Sequence, residues 1–393
     1  MGELVFRLGK SIRIFNERKI MPFKKDFIWG AATASYQIEG AADVDGKGRS
    51  IWDVMCDRPS AIRDGRNGAE ACDHYHRYAG DVDIMRQIGL KAYRFSLSWP
   101  RIIPNAHDGA VNEKGLAFYD RLIDLLLAKG IEPYVTLYHW DMPQEAQLRG
   151  GWLNPEFPRW FERYTEVVAD RFSDRVRNWI TFNEPQCAIS LGLELGNHAP
   201  GLKLSMSEVL LAGHHLLLAH GRAVATLRSR AKTVPSISFA PVGGVCYPVE
   251  ETAENIEAAR AATFEDWSRG CWAPAWFCDP VFSGHYPEGA LKRFGKDAPA
   301  FTDEEMRIIK QPLDVCSVNF YQGYPTRKAD TPPGWELTKH PAGYARTAFG
   351  WPVTPDAAYW LTRFYYERYQ KPVLIAENGM SSLDWVDCDG EVK

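Results

Sequence analysis

The feature that most constrains the fold is a regular alternation of short apolar segments with longer helical patterns. The apolar segments have strand length and are rich in β-branched and aromatic residues; they are Phe27–Ser35, Lys91–Trp99, Glu132–Trp140, Asn178–Glu184, Ser236–Pro241, Cys316–Gln322 and Pro372–Asn378. Strands that alternate with helices pair in parallel through helical crossovers. We therefore predict an α/β fold, and a (β/α)8 barrel rather than a doubly wound sheet, because no glycine-rich phosphate loop follows the first strand.

The helical patterns between these strands carry their own stop signals. One pattern runs from about Asp73 to Gly89, and the next runs from 112 to Gly130 with an apolar face. Glycine directly after the last periodic residue is a common end of a helix. These boundaries support the predicted βαβ organisation.

Nearly every predicted strand ends on polar or aromatic side chains. They are Gln37 just beyond the first strand, then Arg94 and Trp99, His139 and Trp140, Asn183 and Glu184, Asn319 and Tyr321, and Glu377 and Asn378. A lone glutamate at a strand end is more often a solvated rim residue than a catalytic one. In a barrel, however, the carboxyl ends of all strands converge on the face where active sites lie. We therefore predict that this face holds a site containing Glu184.

Composition and charge exclude several classes of protein. The chain has 393 residues, 45% of them hydrophobic, and a formal net charge of −4, so neither a nucleic-acid nor a membrane-surface partner is expected. The aromatic fraction of 13% modestly favours a sugar ligand. The most apolar long stretch, 209–227, contains three histidines and an arginine and is too polar for a membrane span.

The cysteines and the N-terminus bear on location and domain organisation. The eight cysteines form no CxxC pair, which is typical of reduced thiols in a cytoplasmic protein. Residues 1–20 lack the long apolar centre of a signal peptide. We expect 1–20 to be an extension outside the barrel, and 21–393 to form a single barrel domain.

Eight motifs stand in one order along the chain, from about Met21 to about Trp385. They are DFIWGAATASYQIEG, RFSLSWPRI, HWDMPQ, WITFNEP, HAPG, SVNFYQ, GWPVTP and IAENG. In this order they resemble glycoside hydrolase family 1, the β-glucosidase-like group. The resemblance implies a retaining β-glycosidase that acts on the terminal sugar of a small-molecule glycoside or oligosaccharide and needs neither cofactor nor metal.

The resemblance also implies roles for individual residues. It makes Glu184 the general acid/base and Glu377 the nucleophile, with Arg94 and Tyr321 as partners of the nucleophile. The implied substrate-binding residues are Gln37, His139, Trp140, Asn183, Asn319, Tyr321 and Trp351, the last as a platform for the leaving group.

The chemistry explains why such a site needs two carboxyl groups in different states. In a retaining enzyme one carboxylic acid protonates the leaving oxygen while a carboxylate about 5 Å away attacks the anomeric carbon. Glu184 would need its pKa raised toward neutrality by burial and by the other carboxylate. Glu377 would stay ionised through Arg94 and the Tyr321 hydroxyl.

Three departures from the family pattern leave rival hypotheses open. Ala376 stands where the family usually has threonine, and Leu193 where it usually has tyrosine. The chain ends at Lys393, where the family continues with an eighth strand, so we expect the eighth βα unit to be absent. The rivals are a 6-phospho-β-glycosidase and a truncated, catalytically inactive barrel. The glycone, the aglycone and the oligomeric state stay open.

Overall fold

The computed structural model describes residues 23–392, so the expected extension at 1–20 lies outside the described residues. The described chain contains strands β1 (Gly30–Ala32), β2 (Ala92–Ser96), β3 (Glu132–Tyr138), β4 (Asn178–Asn183), β5 (Ser236–Ala240), β6 (Val242–Pro248), β7 (Val315–Lys328), β8 (Trp335–Leu337) and β9 (Val373–Glu377). Each of the predicted strands corresponds to one of these, with ends shifted by a few residues.

The strands form a curled parallel sheet of the kind that builds a (β/α)8 barrel. β1, β2, β3, β4 and β5 pair in chain order, β5 pairs with β7, and β7 pairs with β9, all in parallel. Helices connect successive strands, as parallel pairing requires. Within residues 23–392, β1 and β9 are the end strands of this series, and the residues of β1 are exposed.

Strands β6 and β8 are not in the prediction. Pro241 ends β5, but the chain resumes as β6 and pairs with the long outer part of β7, from Asn319 to Thr326. β8 then pairs antiparallel with the last residues of β7. Proline has no N–H for a ladder, which makes it a reasonable strand end in a sequence. β6 forms as a strand because it pairs with the outer part of β7, which lies more than 70 residues further along the chain.

The helices of the described chain include the two predicted at about 73–89 and 112–130. They are α1 (Ser35–Ile38), α2 (Ile51–Cys56), α3 (His74–Gln87), α4 (Trp99–Ile102), α5 (Glu113–Ala128), α6 (Gln144–Leu148), α7 (Phe157–Phe172), α8 (Met206–Arg230), α9 (Ala253–Phe264), α10 (Pro274–Phe282), α11 (Glu288–Phe294), α12 (Asp303–Ile309) and α13 (Asp356–Tyr369). A π-helix, Cys187–Glu194, follows β4. Gly89 and Gly130 have φ of +83° and +72° just after α3 and α5, the left-handed conformation that glycine adopts at low cost where a helix ends.

The main hydrophobic core lies between the outer face of the sheet and the helices. Along β2, Tyr93 and Phe95 belong to this core, whereas Arg94 and Ser96 alternate with them. Side chains along a strand point alternately to opposite faces, so Arg94 is directed to the inside of the curled sheet. The same alternation places polar residues of the other strands inside the barrel.

Trp99, at the end of the second predicted strand, belongs to the core rather than to the site. It is fully buried and stacks against Tyr164 of α7, with ring centroids 5.2 Å apart. Within residues 23–392, no helix has the length and apolarity needed to cross a bilayer.

Candidate active site

The carboxyl ends of five strands bring most of the predicted site residues together. Arg94 comes from β2, Asn183 and Glu184 from the end of β4, Asn319 and Tyr321 from β7, Glu377 from β9, and His139 follows β3. In the pairing of β7 with β9, Asn319 lies opposite Glu377. The predicted convergence of strand ends is confirmed for these residues.

Glu377 is held between a cation and a phenol. Arg94 Nη1 lies 2.5 Å from Glu377 Oε1, and the Tyr321 hydroxyl donates to Oε2 at 2.5 Å. Burial raises the pKa of Glu377, but the Arg94 charge and the hydrogen bonds from Tyr321 and Arg94 outweigh burial, so its pKa lies below the ordinary value. Glu377 is therefore an ionised, oriented carboxylate at neutral pH.

Glu184 has the opposite environment. Its side chain is buried, and burial together with the nearby negative charge of Glu377 raises its pKa to about 7. Hydrogen bonds from Asn319 and Cys187 act in the opposite direction and lower the pKa, but by less. Its φ is +42°, a left-handed conformation that non-glycine residues rarely adopt. Such strain concentrates at functional sites. At neutral pH a large fraction of Glu184 is protonated.

A continuous hydrogen-bonded network connects the two glutamates. Asn319 Nδ2 donates to Glu184 Oε1 at 2.9 Å and to Asn183 Oδ1 at 2.8 Å. Asn183 Oδ1 also accepts from Arg94 Nη2 at 2.6 Å, and Arg94 in turn binds Glu377. Because every member is buried or half-buried, a change at one end alters the electrostatics at the other.

His139 and Trp140 complete the wall beside Asn183. His139 Nε2 lies 3.1 Å from Asn183 Nδ2, and burial lowers the pKa of His139 to about 3, so the imidazole is neutral. Trp140 donates from Nε1 to the Asn183 carbonyl at 2.9 Å and has φ of +72°. Asn183 is therefore held at its side chain by His139 and at its backbone carbonyl by Trp140.

Gln37 lies at the mouth of the same region. It is exposed on α1 and lines a cavity of about 440 Å³ together with His139, Trp140, Trp52 and His198. The His198 ring packs edge-on against both tryptophans, with centroid distances of 5.5 and 5.7 Å. An apolar and aromatic wall with a few polar groups suits the two faces of a sugar ring.

Trp351 stands on the other side of the site, next to Tyr321. Its ring centroid is 5.7 Å from that of Tyr321 and 5.6 Å from that of Phe349. The indole is half-buried, so one part of it stays open to a ligand.

Sequence reasoning missed two polar contacts of this site. The Cys187 thiol donates to Glu184 Oε2 at 3.1 Å, and Arg94 Nε donates to Thr136 Oγ1 at 3.0 Å. The NEP motif followed by a helix places residue 187 one turn after Glu184, which is the signal that could have indicated the first contact. Nothing in the sequence of β3 singles out Thr136.

The described part of the chain offers no group of three or more histidine, cysteine, aspartate or glutamate side chains able to hold a metal ion. A protonated carboxylic acid, an ionised carboxylate and an amide between them can deliver a proton to one atom and an electron pair to its neighbour.

Comparison with known proteins gives matches over nearly the whole chain. Residues 19–392 match the family model of Glycosyl hydrolase family 1. Beta-glucosidase A of Acetivibrio thermocellus is 42% identical over 379 residues, which cover 94% of this chain and 82% of that protein. Beta-glucosidase A of Thermotoga maritima is 40% identical over 376 residues, which cover 95% of this chain and 82% of that protein.

Solved structures agree with the sequence comparison. The family 1 β-glucosidase from Thermotoga maritima superposes with a TM-score of 0.83 at 40% identity, covering 94% of this chain and 81% of that one. The same enzyme in complex with glucoimidazole gives a TM-score of 0.83 at 40% identity and covers 94% of this chain and 82% of that one.

Proposed function

The chain belongs to glycosyl hydrolase family 1, and on that premise we propose that it is a retaining β-glucosidase. It would release terminal β-linked glucose from a small glycoside or oligosaccharide, with Glu377 as nucleophile and Glu184 as acid/base. The similar proteins carry β-glucosidase names, which favours a neutral glucoside over a 6-phospho sugar.

In the first half of the reaction the glycosidic bond breaks. Glu377 attacks the anomeric carbon with its carboxylate electron pair, while Glu184 transfers its proton to the glycosidic oxygen, and the bonding electrons leave with the aglycone. Arg94 and Tyr321 hold the Glu377 carboxylate, which supports this role by keeping it ionised and aimed.

In the second half, water releases the sugar. Glu184, now a carboxylate, removes a proton from water as the water oxygen attacks the anomeric carbon, and Glu377 leaves as a carboxylate. Two displacements at one carbon retain the β configuration. This assignment predicts that the two carboxyl groups lie about 5 Å apart.

The remaining site residues bind and orient the sugar. Asn183, whose Nδ2 and Oδ1 atoms are both fixed by neighbours, would hold a glycone hydroxyl close to the reacting carbon. We assign Gln37 and His139 to the other glycone hydroxyls, Trp140 to a ring face, and Trp351 to the leaving group. The shared cavity of Gln37, His139 and Trp140 supports the glycone assignment.

One observation carries the proposal: two glutamates in one hydrogen-bonded network have pKa values moved in opposite directions. The pKa of Glu184 is raised to about 7 by burial and by the charge of Glu377. The pKa of Glu377 is lowered below its usual value by Arg94, despite the burial of Glu377. Opposite shifts in a pair of carboxyl groups are the signature of an acid and a nucleophile.

The test is to trap the covalent intermediate. A 2-fluoro glucoside with a good leaving group should inactivate the protein and add one fluoroglucosyl group to the peptide that contains Glu377. The Glu377→Gln protein should stay unlabelled, and NMR of the wild-type reaction should show β-glucose as the first product. Label on another residue, or α-glucose as the first product, would contradict the assignment.

A further inference from the structure

The acid/base carboxyl group has two partners of different chemical character. Oε1 of Glu184 accepts from the Asn319 amide at 2.9 Å, and Oε2 accepts from the Cys187 thiol at 3.1 Å. Cys187 begins the π-helix after β4, and its side chain is buried. Its thiol has no role in the mechanism described above.

The direction of the hydrogen bonds around Glu184 is fixed by Arg94. A guanidinium only donates, so the Asn183 atom that it contacts is the oxygen, Oδ1. The Asn319 atom facing that oxygen is therefore its nitrogen, Nδ2, and the second hydrogen of Nδ2 points at Glu184 Oε1. Rotating the Asn319 amide would set oxygen against oxygen.

This polarity decides which oxygen of Glu184 can carry a proton. Oε1 faces an N–H that cannot turn away, so a proton on Oε1 would meet another hydrogen. Oε2 faces a thiol, which can rotate and act as a weak donor or a weak acceptor. We propose that Cys187 is a positioning residue for the acid/base, and that its thiol makes Oε2 of Glu184 the oxygen that carries the catalytic proton.

The thiol rotates but keeps its own proton throughout. While Oε2–H transfers its proton to the glycosidic oxygen, the S–H turns toward the new carboxylate and donates to Oε2; when water later returns a proton to Oε2, the S–H turns away. Burial, followed by the neighbouring charge of Glu184, raises the pKa of the Cys187 thiol, which keeps it protonated. This inference rests on the proposed function of Glu184.

Charged and hydrogen-bonding groups on several other elements also shift the pKa of Glu184. The negative charge of Glu377 on β9 raises the pKa of Glu184, and Arg94 on β2 lowers it. Asn319 on β7 and Cys187 lower it through hydrogen bonds, and Tyr321, also on β7, stays a neutral phenol because burial and the two glutamates raise its own pKa. Removing the S–H donor therefore raises the pKa of Glu184, since its carboxylate form loses a partner.

The experiment compares three variants of the full chain. Cys187→Ala removes the donor, Cys187→Ser replaces it with a stronger donor, and Cys316→Ala removes a buried thiol on β7 that does not contact Glu184. The alkaline limb of the kcat/KM profile is measured with cellobiose, which needs the acid, and with 2,4-dinitrophenyl β-glucoside, which does not. A second readout is the infrared carboxyl band of protonated Glu184, identified by its absence in Glu184→Gln and titrated without substrate.

We expect the alkaline limb with cellobiose to move up by roughly half a pH unit in Cys187→Ala, because a thiol is a weak donor. In Cys187→Ser the alkaline limb should keep its wild-type position or move to lower pH. In Cys316→Ala the alkaline limb should keep its wild-type position. The infrared titration should follow the same order. Identical Glu184 pKa values in wild type and Cys187→Ala, or equal shifts in Cys187→Ala and Cys316→Ala, would overturn the proposal. A wild type inactive on every β-glucoside would instead overturn the proposed function, while the infrared titration would still decide the role of Cys187.

Discussion

Replacing Arg94 with methionine tests how Glu377, the proposed nucleophile, is kept ionised. The guanidinium of Arg94 is 5% exposed and donates to Glu377, Asn183 and Thr136. Methionine keeps most of the length and the apolar stem but has no charge and no donor. The substitution therefore leaves the Glu377 carboxylate, which is 18% exposed, without its cation.

The size of the effect follows from this geometry. Removing one partner of a buried ion pair costs about 3–5 kcal/mol, because the other charge remains unpaired. Glu377 keeps the Tyr321 hydrogen bond and some contact with water, so we take about 2–4 kcal/mol as the loss felt by the carboxylate. If this loss appears in the transition state, kcat/KM falls about 30- to 1000-fold.

The pH dependence gives a sharper signature than the rate. The pKa of Glu377 is lowered in the folded protein, so ionised Glu377 contributes stability that is present above its unfolded pKa and is lost as the pH falls through the folded pKa. Arg94→Met removes this contribution. The acid limb of the kcat/KM profile should therefore move to higher pH, and the free energy of unfolding should drop more at pH 7 than at pH 4.

The chain offers a matched control in Arg101. This arginine is also buried and paired with a buried glutamate, Glu39, at 3.0 Å, but the pair lies outside the network that joins Glu184 and Glu377. Arg101→Met should lower the unfolding free energy by a similar amount while the acid limb of kcat/KM stays in place. An unmoved acid limb in Arg94→Met, or the same movement in both variants, would refute the reasoning.

Two further substitutions test separate parts of the site, and a third tests Asp141, a buried carboxyl group hydrogen-bonded to Ser35. Glu184→Ala should lower kcat/KM about 10²- to 10⁴-fold for cellobiose but much less for 2,4-dinitrophenyl β-glucoside, and added azide should yield β-glucosyl azide detectable by NMR. Tyr321→Phe removes a hydrogen bond to a charged group worth about 1.5–3 kcal/mol, so kcat/KM should fall about 10- to 150-fold with an upward shift of the acid limb. Burial raises the pKa of Asp141 to about 7, so the folded state binds more protons than the unfolded state and the free energy of unfolding falls as the pH rises from about 4 to 7. In Asp141→Asn this fall, measured by urea unfolding, should be lost. An unchanged pH dependence in the variant would contradict the raised pKa of Asp141.

The sequence was sufficient to predict the barrel and the face that carries the site. Strand-length apolar segments ending in polar residues are a local pattern, and strand ends of a parallel sheet have to converge. Arg94, Asn183, Glu184, Asn319 and Glu377 were therefore predictable as neighbours, although Arg94 and Glu377 are 283 positions apart. The individual roles proposed for them came from the resemblance to a family, because nothing local distinguishes an acid from a nucleophile.

Other features depend on partners that no local pattern announces. Strand β6 forms because β7 continues outward to pair with it, and Trp99 is a core residue because α7 covers it. The contact of Cys187 with Glu184 requires both the helical turn after β4 and the left-handed backbone at Glu184. These depend on packing between distant segments, which the periodicity of one segment does not contain.

The difference between the two glutamates is the clearest case of what tertiary structure decides. The sequence by itself determined that Glu184 and Glu377 both end apolar strands and both have the same side chain with the same intrinsic acidity. Folding places Arg94 and Tyr321 against Glu377 and gives Glu184 two weaker donors in a buried position. Since a buried carboxyl group ionises only where nearby charges and donors offset the loss of water, only the assembled barrel keeps one of them largely protonated and the other ionised at neutral pH.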